Sequence, residues 1–237
     1  MKRKTTLNSK TESVIDELVN HYIENRASFQ TLVEGLAKDF VTNPKVAPFV
    51  HSIKFRTKDP ESLRGKLRRK AVEALKKRRV FSITKKNLFI QITDLAGIRI
   101  LHLYPKQMSE MKPHLEALLA ERRLMTKERI AYTWDEEYRH LFQNLGYVTK
   151  YKPSMYTSLH HVVVANRTHK FHCEIQIRTL MEEVWGEVDH TINYPEASGS
   201  VACREQLKAL ARMSSAGTRL VDSIFESHND YLKKKQR

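Results

Sequence analysis

From Lys170 to Arg178 the chain alternates without interruption: Phe171, Cys173, Ile175 and Ile177 fall on one side of an extended backbone, His172, Glu174, Gln176 and Arg178 on the other. Period two belongs to a strand. An apolar face this regular has to be covered, so the chain must build a sheet with a core on one side and four polar groups projecting together from the other. A second apolar run, Leu159 to Val164, lies just upstream, and the intervening Ala165-Asn166-Arg167-Thr168-His169 reads as a hairpin turn.

The rest of the chain supplies what packs on that sheet. Val14, Ile15, Leu18, Val19, Tyr22, Phe29, Leu32, Val33, Leu36, Ala37 and Phe40 recur at steps of three and four, which predicts an amphipathic helix over 11–40, stopped before Asn43-Pro44. Ile53 and Phe55 alternate with Lys54, Arg56 and Lys58, the pattern of a half-buried strand that sets Arg56 and Lys58 on one face. Asp59-Pro60 then opens a helix with Leu63, Leu67, Ala71, Ala74 and Leu75 on its buried side and Ser62, Lys66 and Lys70 on another. Leu88–Ile92 and Ile98–Tyr104 read as strands joined by a short turn, which puts Asp94 at a strand end. Met108, Met111, Leu115, Leu118 and Leu119 predict a covering helix, and the polar stretch from Arg122 to Lys152 is expected to be a loop. Two further helices are predicted, one through Leu180, Met181, Val184, Trp185 and Val188, the other through Leu207, Leu210, Ala211, Leu220, Val221, Ile224 and Phe225.

With 237 residues and 41% apolar content, this is enough chain for one compact domain with a real core. No apolar run approaches the ~18 residues of a membrane span, and Met1-Lys2-Arg3-Lys4 leads into polar residues rather than a signal-peptide core. Cys173 and Cys203 form neither a disulfide framework nor a zinc pattern, and the eleven histidines include no H-E-x-x-H. A cytoplasmic protein with reduced thiols and no membrane partner is expected.

The net charge of +15 is concentrated: residues 54–86 hold fourteen Lys and Arg against three acidic residues. Such a stripe attracts phosphate, whether on a nucleotide, a nucleic acid or a membrane. The strand-to-helix junction between Arg56 and Lys70 suits a polyphosphate, because the helix N-terminus presents free N–H groups and the side chains add cations. Walker, kinase and Rossmann glycine patterns are absent, so side chains must do what backbone does in those folds. A triphosphate brings magnesium, which takes one or two protein carboxylates, and Asp94 and Glu174 are the candidates; a salt bridge to the surrounding cations is the alternative for either.

Four ordered motifs now stand out: Arg56-x-Lys58-x-x-x-Ser62-x-x-x-Lys66; Asp94-Leu95-Ala96-Gly97-Ile98-Arg99; Tyr156-Thr157-Ser158-Leu159-His160; and Glu174-Ile175-Gln176-Ile177-Arg178-Thr179. In this order they resemble the RelA/SpoT-type alarmone synthetase domain, of the small single-domain kind. The resemblance implies an α+β fold, a mixed β-sheet flanked by helices in a nucleotidyltransferase-like synthetase domain over 46–195, between helical extensions at 1–45 and 196–237. It implies transfer of the β,γ-diphosphate of ATP to the 3'-hydroxyl of GDP or GTP, giving (p)ppGpp, with Mg2+ as cofactor. Carried over residue by residue, Arg56 and Arg99 would sandwich the adenine, and Lys58, Ser62 and Lys66 would hold the ATP phosphates, with Arg69 and Lys70 as further phosphate candidates. Asp94 and Glu174 would be catalytic and bind magnesium, Glu174 also activating the attacking hydroxyl. Tyr156 would stack on the acceptor base, with His160 and Gln176 orienting the acceptor.

Two departures bear on the acceptor side: Met155 stands where many members carry glycine, a residue whose conformations methionine is not expected to follow, and Pro195 follows His190-Thr191-Ile192-Asn193-Tyr194 where a lysine is common. With about 50 residues before the first motif and about 40 after the last, neither a hydrolase nor a regulatory domain is expected, and the terminal helices are expected to pack on the core or to form a homo-oligomer seam. Three other readings stay open: diphosphorylation of the 3'-CCA end of tRNA, synthesis of adenosine alarmones, and a non-catalytic RNA-binding module.

Overall fold

The computed structural model describes residues 7–165, 171–194 and 197–236. The expected hairpin turn at 166–169, together with Lys170, Pro195 and the N-terminal residues 1–4, lies outside them. The first helix, α1 (Ser9–Thr42), is capped by Asn8, whose side chain accepts from the Thr11 N–H at 2.8 Å, and it ends at Asn43, just before Pro44. Of its apolar stripe, Ile15, Tyr22, Phe29 and Phe40 are fully buried, while Val14 and Leu32 are partly so. A short 3-10 turn at Ala47–Phe49 leads into β1 (Ser52–Thr57) and α2 (Pro60–Lys76), where the Asp59 carboxylate accepts from the Ser62 N–H at 2.8 Å. After α3 (Leu88–Gln91) come β2 (Ala96–His102), α4 (Gln107–Glu121), β3 (Leu124–Thr133), α5 (Glu136–Asn144) and β4 (Val148–Tyr151). Then β5 (Ser158–Ala165), β6 (His172–Thr179), α6 (Leu180–Asn193) and α7 (Val201–Lys235) complete the chain.

The strands form one six-stranded sheet in the order β1-β2-β6-β5-β3-β4. It is mixed, with β2 parallel to β6 and β3 parallel to β4, the other three pairs being antiparallel. The fold is therefore α+β, with helices against an open mixed sheet, and β5 and β6 pair as the alternation predicts. Ile98, Ile100, Cys173, Ile175 and Ile177 are buried on the core side, and α1 packs along β1, β2 and α2. At the other end, α7 packs on α6, and the Trp185 indole donates to the Leu207 carbonyl at 2.9 Å. Among the described residues no helix is long and apolar enough to cross a membrane.

Two local expectations are overturned. Leu88–Gln91 is a single helical turn instead of a strand, entered from a fold-back of the preceding chain in which the Asn87 side chain accepts from the Thr84 N–H at 2.7 Å and donates to the Ser82 carbonyl at 3.0 Å. Asp94 therefore sits in the turn that enters β2 and follows no strand. The stretch expected as a loop, Arg122 to Lys152, holds β3, α5 and β4. β3 carries Lys127, Glu128 and Arg129, and a register shift between Thr126 and Glu128 breaks its alternation; pairing with β5 along its length, and with β4 over Ile130–Thr133, makes it a strand despite a polar sequence. Asp135 starts α5 by accepting from the Glu137 N–H at 3.1 Å.

Candidate active site

Residues paired across neighbouring strands share a face of the sheet. The register sets Lys54 opposite Arg99, Arg99 opposite Gln176, and Gln176 opposite His160. Two residues along, Arg56 faces Gly97 and Gly97 faces Glu174. One polar face thus collects side chains from four strands. Between it and α6 opens a cleft of about 590 Å³, lined by Arg56, Asp94, Arg99, Tyr156, Glu174 and Gln176 among others.

The expected phosphate lysines meet at one carboxylate. Lys66 Nζ lies 2.7 Å from Asp94 Oδ1 and Lys58 Nζ lies 2.9 Å from Asp94 Oδ2. Burial pushes the Asp94 carboxyl up, but Lys66 and Lys58 outweigh it and hold it below the usual carboxylate range. The salt bridge named as the alternative for this residue is therefore present; Asp94 lines the cleft, and the two lysines are tied to it through this carboxylate. Tyr22 of α1 backs the arrangement: its hydroxyl donates to the Lys58 carbonyl at 2.7 Å. Ser62 is in the first turn of α2, while Arg69 is exposed and Lys70 half-buried further along it; none of the three lines the cleft.

Glu174 anchors the opposite side. The His160 Nδ1–H donates to its Oε1 at 3.0 Å, and the Gln176 amide donates to its Oε2 at 2.9 Å. Because a carboxylate only accepts, this assigns the His160 tautomer, and Nε2 then accepts from the Tyr156 hydroxyl at 3.0 Å. Burial raises the Glu174 carboxyl, but the His160 and Gln176 bonds more than offset it, so the group is ionised near neutrality. Burial also raises the Tyr156 hydroxyl, which stays protonated. Two ionised carboxylates on rigid positions of one cleft fit a hard cation that completes its shell with phosphate and water. Among the described residues no group of three or more His, Cys, Asp or Glu side chains gathers to hold a metal by itself.

Met155 departs from expectation. It takes φ 65°, inside the left-handed region where glycine is at ease, and its N–H bonds the Lys152 carbonyl at 2.9 Å. The turn thus keeps its conformation with a methionine, at a cost of about 1 kcal/mol.

Lys54, Glu183 and Glu187, at or beside the cleft, escaped sequence reasoning. Lys54 precedes the first motif by two residues, on the face of Arg56. Glu183 and Glu187 of α6 are one helical turn apart, the only signal being that i,i+4 spacing. The Glu183 carboxylate meets Lys54 and Arg99 at 2.9 Å each and Arg178 at 3.2 Å. Glu187 adds a contact to Arg99 at 2.9 Å. His190 and Tyr194, stacked with ring centroids 4.7 Å apart, close the far wall.

The model of a region found in RelA and SpoT proteins matches residues 55–199, the same stretch that builds this cleft. The chain belongs to the RelA/SpoT family. Among curated relatives, the GTP pyrophosphokinase YwaC of Bacillus subtilis is 30% identical over 152 residues, covering 62% of this chain and 59% of that protein. The GTP pyrophosphokinase YjbM of the same organism is 36% identical over 86 residues, 34% of this chain and 39% of that one. The chain therefore spans less than two thirds of either relative. Its fold is that of small alarmone synthetase 1 from Bacillus subtilis, whose crystal structure superposes with a TM-score of 0.64 at 20% identity, covering 91% of this chain and 99% of that one. The same synthetase bound to its product pppGpp matches with a TM-score of 0.58 at 20% identity, covering 90% and 97% of the two chains.

Proposed function

We propose that this chain is a cytoplasmic ATP:GDP/GTP 3'-diphosphotransferase that makes (p)ppGpp, its catalytic core at 46–195 flanked by helical extensions. The observation that carries this reading is one cleft lined by Asp94, which pairs with Lys58 and Lys66, and by Glu174 and Gln176, with His160 bonded to Glu174. The Lys58–Asp94–Lys66 group is cationic and suits a triphosphate; the Glu174 group holds an ionised carboxylate suited to accept a proton. The acceptor 3'-oxygen attacks the β-phosphorus of ATP, the bond from that phosphorus to the α–β bridging oxygen breaks, AMP leaves, and the hydroxyl proton passes to Glu174. Magnesium bound at Asp94 and Glu174 would neutralise phosphate charge.

Lys58 and Lys66, released from Asp94 in part, hold the transferred phosphates, with Ser62, Arg69 and Lys70 as outer contacts. Arg56 and Arg99 flank the adenine. Tyr156 stacks on the acceptor base, while His160 fixes the Glu174 carboxylate and Gln176 orients the acceptor. A second reading, transfer to the 3' end of tRNA, is favoured by Lys76, Lys77, Arg78 and Arg79, which are exposed at the end of α2 and lie outside the cleft.

The test is transfer of label from γ-labelled ATP, with magnesium, to GDP, GTP, ADP or deacylated tRNA in separate reactions. Label on GDP or GTP, abolished at least 100-fold by Glu174→Gln, is the expected result. Label on tRNA alone selects the second reading, label on ADP selects an adenosine alarmone, and salt-sensitive RNA binding with no transfer to any acceptor would leave an RNA-binding module.

A further inference from the structure

Glu183 is 6% exposed, yet the chemistry above does not use it. Its carboxylate sits where three cations converge. Arg99 Nη1 reaches Oε1 at 2.9 Å and Oε2 at 3.2 Å, Lys54 Nζ reaches Oε1 at 2.9 Å, and Arg178 Nη1 reaches Oε2 at 3.2 Å. These three come from three strands, β1, β2 and β6, so one helical side chain ties them together. Arg178 in turn is 4% exposed and donates to the Tyr156 hydroxyl and to Gln176 Oε1, both at 2.9 Å. Its guanidinium also lies over the Tyr156 ring, 5.1 Å from the centroid. Glu183 therefore touches directly the arginine that flanks the donor base, and through Arg178 the tyrosine that stacks on the acceptor base.

We infer that Glu183 is a positioning residue that holds Arg99 for the donor nucleotide and Arg178 against Tyr156 for the acceptor. The inference rests on the donor and acceptor assignments proposed above. The reason is electrostatic. Three like charges crowded at the inner end of a cleft repel one another, and a planar guanidinium keeps its orientation only while a carboxylate faces it. A glutamine of the same shape makes fewer charge-assisted bonds, takes the carboxylate away from Arg178, and leaves Arg99 and Lys54 with Glu187 alone. Thr179 and Glu182 form a capping box at the start of α6, so the helix that carries Glu183 begins at a defined point directly after β6. The carboxylate is thus set in the register of the strand that carries Glu174, Gln176 and Arg178. Glu187, one turn on and half-exposed, meets Arg99 and Lys54 as well, at 2.9 and 3.5 Å. It lacks the contact to Arg178 that joins the two substrate positions.

The test measures equilibrium binding of an ATP analogue whose α–β bridging oxygen is replaced by methylene, alongside steady-state transfer. Wild type, Glu183→Gln, Arg99→Ala and the double variant are compared, each shown to be folded by circular dichroism. Glu183→Gln is expected to weaken the analogue about tenfold, the scale of one charge-assisted bond, and to raise the acceptor KM while kcat at saturation changes less than about threefold. In the Arg99→Ala background the effect on analogue binding should shrink below about twofold, because it runs through Arg99. A merely structural role would lower both substrates' binding by the same factor in either background. If Glu183→Gln does not fold, Glu183→Asp, which keeps the charge but withdraws it, must show the donor effect. Unchanged analogue binding in a folded variant of wild-type-like transfer, or an equal factor with and without Arg99, overturns the inference and leaves the proposed activity standing. A wild-type protein that neither binds the analogue nor transfers label overturns the proposed activity and this inference with it.

Discussion

Replacing Asp94 by asparagine should move two properties of the protein in opposite directions. The carboxylate takes Lys66 at 2.7 Å on one oxygen and Lys58 at 2.9 Å on the other, and the two lysine side chains are only 28% and 14% exposed. Asparagine has the same shape but leaves both ammonium groups without a counter-charge. Between the worth of an exposed pair and that of a fully buried one, the loss is about 1–3 kcal/mol. For a chain of this size, that lowers Tm by about 2–4 °C per kcal/mol. Anion binding without metal changes the other way. A phosphate held by these lysines would lie about 6 Å from the Asp94 carboxylate, and unit charges at that distance interact by about 3 kcal/mol at an effective dielectric of 20. Salt screening near physiological ionic strength leaves about 1–2 kcal/mol, so Asp94→Asn should bind inorganic tripolyphosphate about 5–30-fold more tightly in EDTA. The same variant should lose magnesium-dependent transfer. Calorimetric titration with tripolyphosphate at low and at physiological salt, beside a thermal melt, measures both signs. Unchanged or weaker metal-free binding by a folded Asp94→Asn protein would show that Lys58 and Lys66 do not present their charge to the anion, and the placement of the donor phosphates would fall.

Two further outcomes test how the rest of the chain supports the cleft. Tyr22→Phe removes a fully buried donor to the Lys58 carbonyl at 2.7 Å, so it should cost about 1–2 kcal/mol and weaken the donor analogue more than the acceptor; equal affinities and an unchanged melt would mean that α1 does not brace the donor side. Glu182→Gln keeps the capping-box geometry but removes a carboxyl that burial pushes up from 4.5 to about 7. A raised carboxyl is protonated in the folded chain while the unfolded chain has already lost its proton, so stability falls as pH rises between about 4.5 and about 7 and stays lowered above that window. Because Glu182 is only partly buried, the full linkage value is discounted to about 1–2 kcal/mol. The glutamine variant should therefore melt higher than wild type at pH 8 and alike at pH 4. Parallel melting curves across that range, with no crossing or convergence, would refute the account.

The candidate site was legible in part because its chemistry sits on short motifs next to elements with strong periods. The alternation of Phe171 to Arg178 names both faces of β6 before any partner is known, and Asp59-Pro60 marks the start of α2 through its cap. His172 shows the limit of that reading. It alternates with the polar set yet is 1% exposed, its ring nitrogen bonded to the Phe89 carbonyl at 2.7 Å. Met155 shows another, since its positive φ is held by a turn whose bonds no residue type announces.

By itself the sequence determined what depends on near neighbours along the chain: the long stripe of α1, its stop at Pro44, the strand period of β5 and β6, the basic α2, and the order of the four motifs. These signals follow from backbone geometry, in which periods of 3.6 and 2 and the missing N–H of proline act within a few residues. Tertiary structure decided what depends on partners far away. Polar β3 is a strand because β5 pairs along its length and β4 joins it over Ile130–Thr133. Lys54 and Glu183 stand 129 residues apart in sequence, and only the register of β1, β2 and β6 beneath α6 brings them to 2.9 Å. An ion pair has no period and no local signature; its strength comes from distance and exclusion of water, and both exist only once the sheet is assembled.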